Sequence, residues 1–153
     1  MFQEMRRKEK QVTPPEAEAI LQKGEYGILS TMGENGYPYG IPVNYAYENG
    51  IICFHCAKDT GHKLTNIKNH SQVCFTVVGA TEILPAKFST KYESAIAFGT
   101  AREASDKRKS LMLLIEKYSP EFIEPGKKYI ESALDKTDVY EIIVEHLTGK
   151  RSR

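Results

Sequence analysis

Residues 37–47 read YPYGIPVNYAY, and the reading of this stretch decides the fold class. Side chains alternate between the two faces of a strand. Every odd position (Tyr37, Tyr39, Ile41, Val43, Tyr45, Tyr47) is large, and every even one (Pro38, Gly40, Pro42, Asn44, Ala46) is small or short. One strand over 37–47 would therefore pack one face on an apolar core and leave backbone nearly bare on the other. Two prolines withdraw two amide donors, so the strand cannot be fully paired on both edges. A bare, half-paired strand suits a flat heteroaromatic ligand whose rim exchanges hydrogen bonds with free backbone groups. It suits equally well an ordinary edge strand blunted by proline against strand addition. Spacing alone leaves both readings open.

The flanks supply the rest of the sheet. Gly33-Glu34-Asn35-Gly36 signals a hairpin from a strand at 26–32, and Asn49-Gly50 turns the chain into IICFHC, 51–56. Thr13-Pro14-Pro15-Glu16 opens a helix with a Thr cap, Pro in the first turn and Glu three residues after the cap. Ala17, Ile20 and Leu21 form its apolar stripe, and Gly24 stops it. A short helix around 63–70 follows, then strands at 72–79 and 93–103 separated by an irregular stretch containing Pro85. Helices near 105–118 and 125–135 precede a closing strand at 138–147. Meander connections without strand–helix alternation predict a mainly β, α+β fold: an antiparallel barrel of about six strands with helices packed outside.

The chain has 153 residues, with 41% hydrophobic and 27% charged side chains, which suits one globular domain over 1–153 and excludes disorder. No apolar run approaches the roughly 20 residues of a membrane span. MFQEMRRKEK (1–10) lacks the apolar centre of a secretory signal. Three unevenly spaced cysteines give no disulfide framework and fit a reducing compartment, so the cytoplasm is expected. The net charge of +1 divides into basic tails at 1–10 and 149–153 and an acidic body of net −4. A short basic tail is ordinarily just solvated, and an acidic body argues against a broad nucleic-acid face. Inside that body, residues 57–70 (AKDTGHKLTNIKNH) hold Lys58, Lys63 and Lys68 against Asp59 alone.

That basic island has the makings of a phosphate site. A helix start offers free N–H groups and a partial positive charge. Gly61 permits close backbone approach, Thr60 offers a hydroxyl cap and Lys63 brings a full charge. The Gly-rich spacing of a P-loop is absent. A capped surface helix with solvated lysines is the plainer reading of the same residues. Cys53-Phe54-His55-Cys56 imitates a metal or redox pair, but residues three apart in a strand face opposite ways, so zinc is not expected. His55 reads either as a polar site residue or as a satisfied core histidine. His146 reads as structural, and no Ser-His-Asp set or carboxylate pair supports a hydrolase.

The ordered set GYPYGIPVNYAYENGIICFHCAKDTGHKLTNI (36–67), QVCFTVVG (72–79), FSTKYESAIAFGTA (88–101) and HLTGK (146–150) resembles the flavin-binding split-barrel proteins related to pyridoxamine 5′-phosphate oxidase, nearest the nitroimidazole-resistance branch. The resemblance implies a six-stranded Greek-key barrel that forms a homodimer, with FMN in two clefts at the subunit interface. It places the Pro42, Val43, Asn44 and Tyr45 backbone against the ring. His55, Cys56 and Ala57 fall toward the ribityl chain and phosphate, and Thr60, Gly61, His62 and Lys63 at the phosphate. Tyr92, Glu93 and Ser94 fall near the ring edge, and the partner subunit closes the cleft through its carboxyl-terminal strand, with Lys150 or Arg151 helping there. The absence of Trp and the ending GKRSR depart from true pyridoxamine phosphate oxidases.

The activity so implied is FMN-dependent reduction of a nitroaromatic or quinone-like small molecule with electrons from NADH or NADPH, His55 and Tyr92 touching the substrate. The rival readings are a non-catalytic flavin- or haem-binding stress-response protein on the same barrel, with His55, His62 or His70 as haem ligand, and a barrel that stacks single-stranded nucleic acid on its tyrosines.

Overall fold

The structure, a computed structural model, describes residues 1–59 and 61–153. Helix α1 (Pro14–Lys23) begins at Thr13, whose N–H donates to the Glu16 carboxylate at 2.9 Å while its hydroxyl accepts from the Glu16 N–H at 3.4 Å. That reciprocal cap and the buried Ala17, Ile20 and Leu21 are as the sequence predicts. Strands β1 (Gly27–Met32) and β2 (Pro38–Val43) form a hairpin. The Gly36 N–H donates to the Gly33 carbonyl, and the Gly33 N–H donates to the Tyr37 carbonyl at 2.9 Å. Gly36 takes φ +83°, the left-handed residue that closes a three-residue loop.

The Gly33–Tyr37 bond fixes which backbone groups face which way. Alternation turns the N–H and C=O of 39, 41 and 43 toward β1, and those of 38, 40 and 42 toward the free edge. Pro38 and Pro42 therefore stand where the ladder needs no donor. Even residues of β2 are exposed and odd ones half-buried, as expected for 38–43.

The single strand over 37–47 is not found. β2 stops at Val43, Asn44 and Tyr45 turn the chain, and β3 (Ala46–Glu48) begins a second piece. β3 pairs with β4 (Ile51–Ala57) through the Asn49-Gly50 turn, where both residues have positive φ. Beyond α2 (His62–Asn69) come β5 (Gln72–Leu84), β6 (Ser89–Glu103), α3 (Lys107–Tyr118), α4 (Ile123–Ala133) and β7 (Thr137–Ser152). All pairings are antiparallel, in the order β2-β1-β5-β6-β7-β4-β3, so the sheet has seven strands rather than six. Its two edges, β2 and β3, are joined by two residues, so Val43 and Ala46 stand three Cα steps and no more than ~11 Å apart. The sheet must therefore curl until its edges lie side by side: a split barrel whose last seam is covalent.

The barrel interior holds Leu29, Tyr45, Phe54, Phe75, Val77 and Ile142, all fully buried. Gly27 lets this core close, since a Cβ there would lie 2.2 Å from the Phe75 ring. α1 and α2 plug opposite ends, adding Ile20 and Leu21 at one and Leu64 and Ile67 at the other. α3 and α4 cover the outside of β3, β4 and β7 through a second cluster of Ala46, Cys53, Leu111, Leu114, Ile130 and Val139. Cys53 and Cys56 thus belong to different cores, on opposite faces of β4 as their spacing requires.

Two expectations of irregular chain are corrected. The stretch around Pro85 is the tip of a long hairpin, with β5 and β6 paired out to Leu84 and Ser89. The basic 149–153 segment is not a solvated tail: β7 runs through it, and Arg151 bridges Glu93 at 3.1 Å and Glu16 at 3.3 Å. In both cases cross-strand pairing overrides a local sequence that carries proline or charge.

Among the described residues no helix covers the remaining outer face. Residues directly opposite share a face, so the pairing registers define two rows there. One is Pro42, Ile28, Thr76, Ile96 and Thr148; the other is Gly40, Ser30, Cys74, Phe98 and His146. Neither row contains Asp, Glu, Lys or Arg. Val78 is 54% exposed, and Ile96 and Phe98 are 37% exposed, with Phe2 stacked against Phe98 and His146 at 5.2 and 4.6 Å.

Candidate functional site

The predicted phosphate residues gather where β4 hands over to α2. The loop between them is tied to β7: the Lys58 N–H donates to the Lys136 carbonyl at 3.1 Å and the Asp59 N–H to the Asp138 carboxylate at 2.8 Å. The helix cap falls on Gly61, at φ +95°, rather than on Thr60, which lies outside the described residues. Among the described residues no side chain caps α2, and no acidic residue stands in its first turn. Its N-terminal partial positive charge thus has no carboxylate within the first turn; Asp59 and Asp138 lie in and beside the preceding loop. Among the described residues Lys63 makes no ion pair.

Lys63 acts on the end of β4. Burial, and then the Lys63 charge, hold His55 below the ordinary imidazole range although its side chain is exposed. Burial pushes the Cys56 thiol up, with Lys63 opposing. Cys56 points into the barrel, its Sγ 3.7 Å from the Asp138 carbonyl, so it is not displayed to a ligand. Ala57 ends β4, exposed. The His62 ring meets Tyr39 of β2 edge-on at 5.5 Å, which brings the helix start against the bare strand. Tyr39 and His62 also line a 340 Å³ cavity between α2 and the β1–β2 hairpin.

Along β2, Pro42 and Asn44 are exposed and Val43 is half-buried. Gly40 is exposed too, and a Cβ there would meet only Ile28 and Ser30, at 3.4 and 3.7 Å. Tyr45 differs from its neighbours: it is fully buried, and its peptide groups are engaged by α3. Of the four tyrosines in 37–47, Tyr37 is exposed, Tyr39 and Tyr47 are half-buried, and only Tyr45 is core.

Tyr92, Glu93 and Ser94 pair with Ser152, Arg151 and Lys150. Alternation puts Tyr92, Ser94 and Lys150 on the uncovered outer face, with the Lys150 ammonium 5.6 Å from the Tyr92 ring centroid. Glu93 faces the other way, held by Arg151, and lines a 530 Å³ cavity with Lys91 and Tyr92.

One chain therefore brings the predicted residues together in two groups. His55, His62 and Lys63 lie at the α2 end, level with Thr31 and Gly99, since Asn66 of α2 bonds Thr31. Ser94, with Lys150 opposite it, lies five residues along β6 from that level and Tyr92 seven, about 17 and 23 Å away at ~3.3 Å per residue. Two residues absent from the sequence reading, Lys117 and Tyr118, hold the seam at Tyr45. Nothing local marked them. The outer rows were visible in principle, as Ile96 and Phe98 alternate with Ala95 and Ala97.

Among the described residues there is no group of His, Cys, Asp and Glu suited to a metal, and no helix long and apolar enough to cross a membrane. No curated protein matches the chain. Among solved structures, a candidate 5-nitroimidazole antibiotic resistance protein from Bacteroides thetaiotaomicron is 22% identical, with 92% of this chain and 86% of that one covered and a TM-score of 0.78. The flavocytochrome Anf3 from Azotobacter vinelandii is 18% identical, covering 98% of this chain and 72% of that one at a TM-score of 0.82. The FAD and haem binding protein from Mycobacterium smegmatis is 17% identical, covering 94% and 74% at 0.78. At such identities the likeness is one of fold. The pyridoxamine 5′-phosphate oxidase family pattern, however, matches residues 13–151, nearly the whole split barrel just described, and on that match the chain belongs to this family.

Proposed function

We propose that the protein is a homodimeric FMN-binding oxidoreductase that passes electrons from NADH or NADPH to nitroaromatic or quinone-like small molecules in the cytoplasm. The observation that carries this reading is the start of α2, which among the described residues has no side-chain cap, no acid in its first turn and no ion pair on Lys63, set against the bare edge of β2 through His62 and Tyr39. A terminal phosphate and a flat ring, joined by a short polar chain, match those two features. The folds of a nitroimidazole-resistance candidate and of flavin-binding proteins lend support to the cofactor and substrate class.

The residues fit the group. The first-turn N–H groups of α2, Gly61 and Lys63 would hold the phosphate, while Pro42 and Asn44 border the ring. When bound, the flavin supplies the redox chemistry. The chain's own part is to orient it, to exclude water with the uncharged rows around Thr76 and Ile96, and to offer His55 and Tyr92 to the substrate. Burial and the Lys63 charge favour the neutral form of His55, in which the ring presents one donor and one acceptor. A second copy supports the site as well: packed face to face by a two-fold axis, it would bring its own Tyr92–Lys150 end toward the first chain's α2 end.

The test is the absorption spectrum of freshly purified protein, titration with FMN and FAD, and anaerobic mixing with NADH or NADPH. Flavin bands that bleach with either nucleotide and recover on adding a nitroaromatic are expected. Colourless protein that takes up no flavin, or a haem spectrum, would overturn the reading; bound flavin that never bleaches would leave a binding protein, not an enzyme.

A further inference from the structure

Tyr45 is where the chain crosses from one edge of the sheet to the other, and every polar group it has is answered from outside the sheet. Its N–H donates to the Tyr118 hydroxyl at 3.0 Å, and that hydroxyl donates to the Glu25 carbonyl at 2.6 Å. Its carbonyl accepts from the Lys117 ammonium at 2.9 Å. The same ammonium stands 3.7 Å from the centroid of the Tyr45 ring, a cation–π contact. The Tyr45 hydroxyl donates to the Leu21 carbonyl, and its ring meets Phe75 edge-on at 4.8 Å. Lys117 and Tyr118 close the last turn of α3, where a lysine is well placed for the helix dipole while pointing to solvent. Here the lysine is turned inward instead.

With both Tyr45 peptide groups occupied, the backbone left free at the seam is narrow. Val43 faces β1. Pro42 has no N–H, and its carbonyl faces the free edge. Asn44 is exposed and makes no hydrogen bond among the described residues. A carbonyl on residue 42 and an N–H on residue 44 form an acceptor and a donor along one edge. That pattern complements an imide rim, a ring N–H beside a ring carbonyl.

Resting on the flavin reading above, we infer that Lys117 and Tyr118 are positioning residues: by fixing both peptide groups of Tyr45 they hold the Pro42 carbonyl and the Asn44 N–H against the imide rim of the bound ring. Tyr118→Phe removes the acceptor for the Tyr45 N–H but keeps the ring in place. Lys117→Met removes the donor to the carbonyl, and Lys117→Arg restores one.

The experiment reads amide hydrogen exchange of Tyr45 without added flavin, and then the binding of FMN and of riboflavin, which lacks the phosphate. In Tyr118→Phe, Tyr45 exchange should rise and both ligands should lose affinity by the same factor, about tenfold for one hydrogen bond's worth of misplacement. Lys117→Met should do likewise, with recovery in Lys117→Arg. Faster Tyr45 exchange with unchanged affinity for both ligands would reduce the pair to a structural clamp and overturn the inference. Unchanged Tyr45 exchange would overturn the clamp itself. Wild-type protein that binds neither ligand would instead sink the flavin reading, whatever the exchange shows.

Discussion

The side-chain amide of Asn66 donates to the hydroxyl of Thr31 at 3.0 Å, and both residues are buried at the junction of α2 with β1. The Thr31 hydroxyl in turn donates to the Tyr39 carbonyl at 3.5 Å, so one short chain links α2, β1 and β2. Thr31→Val keeps the shape and strands a buried amide. It should cost about 1–3 kcal/mol in a denaturant titration. FMN affinity should fall with it, because the bond sets α2 against the strand; a variant of undiminished stability would show that the amide finds another partner.

Lys63→Ala should weaken FMN binding by about 1–3 kcal/mol, the range for a charge-assisted contact left unmade. Riboflavin binding should not change. Calorimetry with the two ligands separates the outcomes, and equal FMN affinity in wild type and variant would move the phosphate elsewhere.

His55 offers an electrostatic check on the same geometry. Burial is the larger cause of its lowered pKa and Lys63 the smaller. In Lys63→Met the imidazole should therefore titrate higher than in wild type, yet still below its ordinary value of 6.5. A proton NMR titration of the ring resonances reads this directly; no movement would place Lys63 too far away to matter.

Lys117 should leave a mark on stability at alkaline pH. Burial brings its ammonium down from 10.5 to about 8, with Cys53 acting slightly the other way. Between those two values the unfolded chain binds more protons at this site than the folded one, so stability rises with pH. Below about 8 both states are protonated and the contribution is flat. The stability of wild type relative to Lys117→Met should thus climb between about 8 and 10.5 and not below, as measured by paired denaturant midpoints. A difference that is level across that window would mean the lysine is solvated.

A charge on the uncovered face should split the proposed dimer. Ile96→Glu places a carboxylate in a row that has none, without touching the barrel interior. Light scattering should report monomer for the variant and dimer for wild type, with near-unchanged circular dichroism. A variant that stays dimeric would put the interface on another face.

How much of this was legible beforehand depends on whether the signal was local. The Thr13–Glu16 cap, the Asn49-Gly50 turn and the opposite facing of Cys53 and Cys56 follow from neighbours in sequence, and all are present. The break at Asn44–Tyr45 does not: both residues continue the alternation of large and small, and only barrel closure demands the turn. The β5–β6 arm was hidden because its strands are exposed on both sides beyond Ala80 and carry no burial pattern. β7 was cut short at 147 since Lys150 and Arg151 look like a tail until Glu93 and Glu16 are seen opposite them. Lys63 could be read from its place at a helix start. Lys117 could not, because its partner is 72 residues away.

The strand order carries a further consequence, for the order of assembly. β7 sits between β6 and β4, so without it the sheet is two separate pieces, β2-β1-β5-β6 and β4-β3. The pairs β1–β2, β3–β4 and β5–β6 are hairpins between neighbours in the chain, cheap in loop entropy, whereas β1–β5 joins segments about 44 residues apart at Ser30 and Cys74. Residues 137–152 must then insert between them, pairing with both at once. The same strand carries Asp138, whose carboxylate takes the Asp59 N–H, so the loop before α2 gains that tie only when β7 is in place. Closure of the sheet and the fixing of the loop that leads into α2 thus depend on one strand.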